Sequence, residues 1–105
     1  MLIVLDKDSE LHLFASVSEA EQSLETIDIE NREYEFCDDR GQRFVAQILA
    51  PVTAFRAGAF ALQPDGSPDE ALPLGILARA VHLGTPSGHI NSLGDLRSHL
   101  ERHTA

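Results

Sequence analysis

Apolar positions along this chain follow three rhythms, and each predicts its own kind of element. Leu2 to Leu5 is an unbroken apolar run, too short for a helix and suited to a strand buried on both faces. Asp6-Lys7-Asp8-Ser9 is a cluster of turn formers. Glu10 to Ala15 then returns with Leu11 and Leu13 on one face and His12 and Phe14 on the other, so the N-terminal segment reads as a hairpin. The rhythm next changes to a helical one. Ser16 with Glu19 three residues on is a capping box, and Val17, Ala20, Leu24 and Ile27 make one apolar stripe. Glu19, Gln22, Glu25 and Thr26 fall opposite that stripe, Glu21 and Asp28 flank it, and Glu30-Asn31-Arg32 ends it.

The period drops to two where Glu33 and Glu35 alternate with Tyr34 and Phe36. Asp38-Asp39-Arg40-Gly41 is the following turn. With Gly41 in the left-handed position of a three-residue loop, Asp38 pairs with Gln42 and Phe36 lies opposite Phe44. That register gathers Tyr34, Phe36, Phe44, Ala46 and Ile48 on one face, whereas a one-residue slip would scatter them. The helix stripe is the natural cover for this aromatic face.

Beyond Ala50 the pattern weakens. The segment 51–58 shows no clean period and reads mostly as loop, Ala59 to Gln63 as a fifth, edge-like strand, and Pro64-Asp65-Gly66 as its turn. Ser67-Pro68-Asp69-Glu70 is a second capping-box pattern. A helix then starts near Pro73, buries Leu74, Ile76, Leu77, Ala80 and Val81, and stops at Gly84. Gly84 to Asn91 reads as loop, and Ser92 and Asp95 cap a last helix with a stripe of Leu93, Leu96 and Leu100. The expected architecture is a single α+β domain over 1–105. It has an antiparallel sheet of four or five strands in the order β-β-α-β-β-(β)-α-α, with two or three packed helices.

Charge alters this picture because it is uneven. Of the net −9, residues 1–39 carry twelve acidic side chains against Lys7 and Arg32, and residues 40–105 carry five against six arginines. Such a field repels nucleic acid and anionic membranes and attracts basic proteins. The partner-binding residues expected on this ground are Glu19, Gln22 and Glu25 on the helix, Glu33 and Glu35 on the strand, and Asp38 and Asp39 at the turn. The single Cys37 excludes an internal disulfide and a self-contained thiolate metal site. Neither a signal-peptide core nor a run of about 20 apolar residues is found. A soluble, unprocessed protein of the reducing cytosol is therefore expected, with no cofactor, no nucleic acid and no membrane partner.

Candidate chemistry adds little. His99 and His103 share an i, i+4 spacing but lack a third ligand or the zincin glutamate, and they read as surface histidines. His12 and His82 read as interfacial side chains. Ser87 with His89 lacks the third orienting group of a triad, the aspartates beside Cys37 disfavour its thiolate, and Arg40, Arg43 and Arg56 read as surface pairs. The expectation is no enzyme and no metal. Leu13 to Gly41, with Phe14, Ser18-Glu19-Ala20-Glu21, Leu24-Glu25, Ile27 to Asn31, Glu33-Tyr34 and Asp38 to Gly41, resembles a group of small acidic bacterial proteins. Some of these are immunity proteins encoded with secreted antibacterial toxins. Arg32 stands where that pattern has glycine. The resemblance implies a cytosolic inhibitor that binds a basic toxin domain and blocks its active site. The alternative expectation is a homo-oligomeric structural or regulatory module without catalytic activity, a homodimer among its forms, that uses its apolar loop from Pro51 to Phe60.

Overall fold

The first apolar run is the inner strand of a two-faced sheet. A computed structural model describes residues 1–31, 34–56 and 58–103, without the side chains of Ile27, Glu30 and His103. Strand β1 (Leu2–Leu5) is buried along its whole length. It is flanked by β2 (Glu10–Phe14) on one side and by β3 (Glu35–Asp38) on the other. Alternation sends Leu2 and Val4 into one core with Phe14 and Phe36, and Ile3 and Leu5 into a second with Leu11, Leu13 and Cys37. A strand apolar on both faces needs a helical layer on each. Helices α1 (Val17–Ser23) and α2 (Thr26–Glu30) supply Ala20 and Ile29 to the first core. Helices α3 (Leu72–Arg79) and α4 (Leu93–His103) supply Ile76, Leu77, Leu96 and Leu100 to the second.

The remaining strands are β4 (Arg43–Ala50), β5 (Ala59–Asp65) and β6 (His82–Thr85), and the sheet order is β5-β4-β3-β1-β2-β6. The second hairpin has the expected register. Gly41 takes φ +91, the Asp38 N–H donates to the Gln42 carbonyl at 2.9 Å, and Phe36 lies opposite Phe44. The N-terminal hairpin is also as expected. Its turn is wired by the Asp6 Oδ1, which accepts from the backbone N–H groups of Asp8 and Glu10 at 2.9 and 3.0 Å.

Three expectations are corrected. The sheet has six strands and is mixed, because His82 to Thr85 is a strand parallel to β2 and not the end of a helix. Ala80 is already extended, with φ −76 and ψ 138, and the Val81 N–H donates to the Ser9 carbonyl at 2.8 Å. Backbone pairing with the first turn thus ends α3 before Gly84, and Val81, expected in the core, is exposed. The first helix is broken in two at Leu24, an extended residue with φ −87 and ψ 145 whose N–H closes on the Ala20 carbonyl. This break restarts the helical phase, so Thr26, expected on the solvent side, is buried instead. Finally, β5 runs through Pro64 to Asp65, which an edge strand permits because its outer N–H groups have no ladder partner.

The two halves of the chain meet at Gly41. Its carbonyl accepts the Asp69 N–H at 3.0 Å, and Asp69 in turn closes the Leu72 N–H at the start of α3. A Cβ on Gly41 would fall on the Asp69 carbonyl oxygen, in a backbone conformation that L side chains rarely adopt. Gly66 has a similar φ of +71 and open space around it. Gly66→Ala should therefore cost only the left-handed strain, about 1 kcal/mol, whereas Gly41→Ala should cost roughly 3 kcal/mol through added collision with backbone. Urea unfolding of both variants measures the difference, and equal midpoints would exclude the collision.

Candidate functional site

Past Phe44, strand β4 leaves β3 and is paired with β5 alone, so the two strands form an arm. Thr53 and Arg56 close its far end as a tight turn through paired backbone hydrogen bonds, where the sequence reads as open loop. The arm is covered on one face by α1 and α2, which bury Phe60 and Leu62. On the other face Val45 is 46% exposed and Leu49 61% exposed, and Phe55 at the tip is 97% exposed. Among the described residues four of the five exposed large apolar side chains, Val45, Ile48, Leu49 and Phe55, fall on this arm. Such clustering differs from the singly scattered apolar exposure found on any protein surface.

Between the arm and the helices runs an open groove of about 550 Å³. Leu24, Val52 and Phe60 give it an apolar floor, and Glu21, Gln22 and Glu25 stand along its helical side. Glu21 has a second task. Its Oε2 accepts the backbone N–H of Leu62 at 2.7 Å, on the outer edge of β5. Alternation places the backbone of Phe60 and Pro64 on that same edge, and proline has no N–H to offer. The edge is therefore blunted by one carboxylate and one proline, a known defence against strand addition.

The expected partner-binding residues divide by their surroundings. Glu19, Gln22 and Glu25 stand together on the helical layer and are exposed. Glu19 caps the helix through its own N–H, which donates to Ser16 Oγ at 3.1 Å, and its Oε2 accepts the Ala15 N–H at 3.3 Å. Gln22 Nε2 donates to Ser18 Oγ at 3.3 Å. Glu35 points to the opposite face of the sheet, where Arg79 grips both its oxygens at 2.6 and 3.3 Å and Arg43 lies at 3.9 Å. Its charge is thus already paired. Asp38 Oδ1 accepts the N–H groups of Arg40 and Gln42 and serves the turn. Asp39 faces His99 Nε2 at 3.2 Å and the Met1 ammonium at 3.6 Å. Glu33 lies outside the described residues. Glu19, Gln22 and Glu25 thus share the helical layer with Glu21, and the carboxylates of Glu19 and Glu21 each also accept a backbone N–H. The apolar arm was foreshadowed by the unpatterned Val52, Phe55 and Phe60; Val45 and Leu49 could have been found as the outward half of the β4 alternation.

Local contacts describe two of the other side chains considered for chemistry. Burial, then the charge of Asp38, pushes the Cys37 thiol up to about 12, far from a reactive thiolate. Ser87 lies on a tight turn closed by backbone hydrogen bonds with Ile90, and the His89 carbonyl accepts Asn91 Nδ2. No helix among the described residues is long and apolar enough to cross a membrane. Comparison with protein-family models, with curated proteins and with solved structures gives no match to this chain.

Asp39 allows a test of its structural role. Burial alone would raise its carboxyl, but the hydrogen bond from His99 and the charge of the amino terminus outweigh that and hold it below the ordinary carboxylate value. A depressed carboxylate contributes stability above the unfolded value of about 4 and loses it as pH falls through the folded value. Asp39→Asn should therefore lower the urea midpoint at pH 7, and the gap to wild type should close in acid below about pH 4. A gap that stays constant across this range would show that the charge contributes nothing.

Proposed function

We propose that this chain is a protein-binding module of the cytosol that captures a basic partner domain, in the manner of an immunity protein covering the active site of a toxin. The observation that carries the reading is Phe55, 97% exposed at the tip of an arm whose far end borders the acidic-sided groove. An aromatic anchor beside charged side chains is the usual composition of a binding hot spot and its polar surround. The charge asymmetry supports a basic partner, since residues 1–39 carry a balance of −10 and residues 40–105 one of +1. The resemblance of Leu13 to Gly41 to immunity proteins favours an inhibitor over a scaffold.

A second copy of the chain is the competing occupant of the arm, because Val45 and Leu49 leave an apolar face uncovered. Glu21 and Pro64 oppose such pairing through the β5 edge, so the exposed face of the arm is the surface this reading uses. Light scattering separates the two: the inhibitor reading expects a monomer, and a stable dimer that Leu49→Lys dissolves would replace it with the oligomeric one.

The binding test uses the product of the gene adjacent to this one, co-expressed and then purified. Gln22→Lys with Glu25→Lys should slow association about tenfold and flatten its salt dependence, because long-range attraction acts on the on-rate. Glu19 is left intact since its carboxylate serves the helix start. Phe55→Ser should instead speed dissociation, and Glu35→Gln should change neither rate because its charge is held by Arg79. Stopped-flow rates at two salt concentrations that are the same for all three variants would remove the groove and arm from the interface.

A further inference from the structure

At the end of the sheet beside β6, remote in sequence from the arm, side chains from three segments converge. Asp6 and Glu10 come from the first turn, His12 from β2, and His82 from β6. His12 Nε2 lies 2.8 Å from Asp6 Oδ2, and His82 Nε2 lies 2.8 Å from Glu10 Oε1. One ligand atom from each of Asp6, Glu10 and His12 falls within 4.8 Å of the others. We propose that these four residues form a zinc site, closed by two imidazoles and two carboxylates, that fastens β6 to the first hairpin.

The donor set is the first argument. Imidazole nitrogen with carboxylate oxygen, four in number, suits zinc in tetrahedral geometry. Metal bonds of 2.0–2.1 Å place tetrahedral ligands about 3.3 Å apart. Each hydrogen-bonded pair at 2.8 Å has to open by about half an ångström, Asp6, Glu10 and His12 draw together from within 4.8 Å, and His82, which meets the cluster through Glu10 alone, has to swing inward from its exposed position. The two carboxylates leave a charge of about −2 that a divalent cation neutralises.

The second argument is the surroundings. Gly84, on β6 between His82 and Thr85, keeps the space open: a Cβ there would lie 2.7 Å from His12 Cε1 and 2.8 Å from Glu10 Oε2. Any other residue would push the imidazole and the carboxylate away. Thr85 Oγ1 stands 2.7 Å from His12 Nδ1, in the position where metal-bound histidines are held by an outer partner. A hydroxyl both donates and accepts. It can therefore donate to Nδ1 while Nε2–H faces Asp6, and accept from Nδ1–H once Nε2 binds metal. The same framework serves both tautomers without rearranging the backbone. Because β6 is the terminal strand beside β2 in the sheet order, a ligand bridging His82 to the first turn would add a second tie beside the Val81 N–H bond to the Ser9 carbonyl.

The test adds zinc chloride to the purified chain and follows the histidine ring resonances by NMR together with thermal unfolding. Zinc should shift His12 and His82 in a saturable one-to-one manner and raise Tm. His82→Ala, at a side chain 59% exposed and therefore harmless to the fold, should weaken zinc binding about tenfold or more. Glu10→Gln should do the same. A double substitution of His99 and His103 to alanine should leave the affinity unchanged. Resonances of His12 and His82 that stay in place at millimolar zinc, or binding that survives His82→Ala but is lost in the His99/His103 variant, would overturn the assignment.

Discussion

Burial of β1 on both sides is the constraint from which the rest of the molecule follows. Leu2, Ile3, Val4 and Leu5 are at most 6% exposed, and successive side chains of a strand must point to opposite faces. A single helical layer would have left Ile3 and Leu5, or Leu2 and Val4, in water, at a cost of about 1.5–3 kcal/mol for each side chain. The chain therefore places its N-terminal helices on one face and its C-terminal helices on the other. The central strands acquire two covers, and the outer pair β4 and β5 extends beyond the reach of the second. The uncovered face of the arm is thus a consequence of helix supply: α3 and α4 are spent on β1, β2 and β3.

The same arrangement explains why the acidic residues do not act as one surface. Glu35 shares a strand face with Cys37 and looks toward α3, while Glu21, Gln22 and Glu25 belong to the helical layer across the sheet. Pairing with Arg79 engages Glu35, N–H groups within the turn engage Asp38, and His99 with the Met1 ammonium engages Asp39. Charge counted along the chain overstates the charge available to a partner, because position in sequence does not say which carboxylates have found cations or N–H groups. Paired surface charges of this kind add at most about 1 kcal/mol each to stability, so their larger effect is on what the surface presents.

Legibility in the sequence followed the strength of local signals. The second hairpin could be read to the residue, since Gly41, the Asp38 turn and the alternation of Tyr34, Phe36 and Phe44 all demand one register. The last helix was equally clear: Ser92 Oγ accepts the Asp95 N–H at 3.0 Å, as its capping pattern implied. Strand β6 was hidden because it is four residues long, contains a glycine and gains its stability from Glu10 to His12, some seventy residues earlier. The break at Leu24 was hidden for the converse reason, since Leu24 has good helical propensity and tertiary fit overrides it. The cluster around Asp6 was illegible for the same cause as β6: His12 and His82 become neighbours only through a parallel pairing that no local rule announces. The one hint was Gly84 itself, set between Leu83 and Thr85 in a short β-competent run.

The blunted β5 edge bears on how recognition by this fold can change over time. An open strand edge offers a partner mainly peptide groups, which are alike in every sequence, so binding there is broad and hard to retune. Here the Leu62 N–H is held by Glu21 and Pro64 has none to give. Anything that docks on this side must be read through side chains, at Phe55, Val45, Leu49 and the groove between arm and helix. Side chains can be exchanged one at a time without disturbing the ladder beneath them. A lineage carrying this fold can therefore change what it presents by single substitutions at Phe55, Val45 and Leu49, which belong to neither buried core.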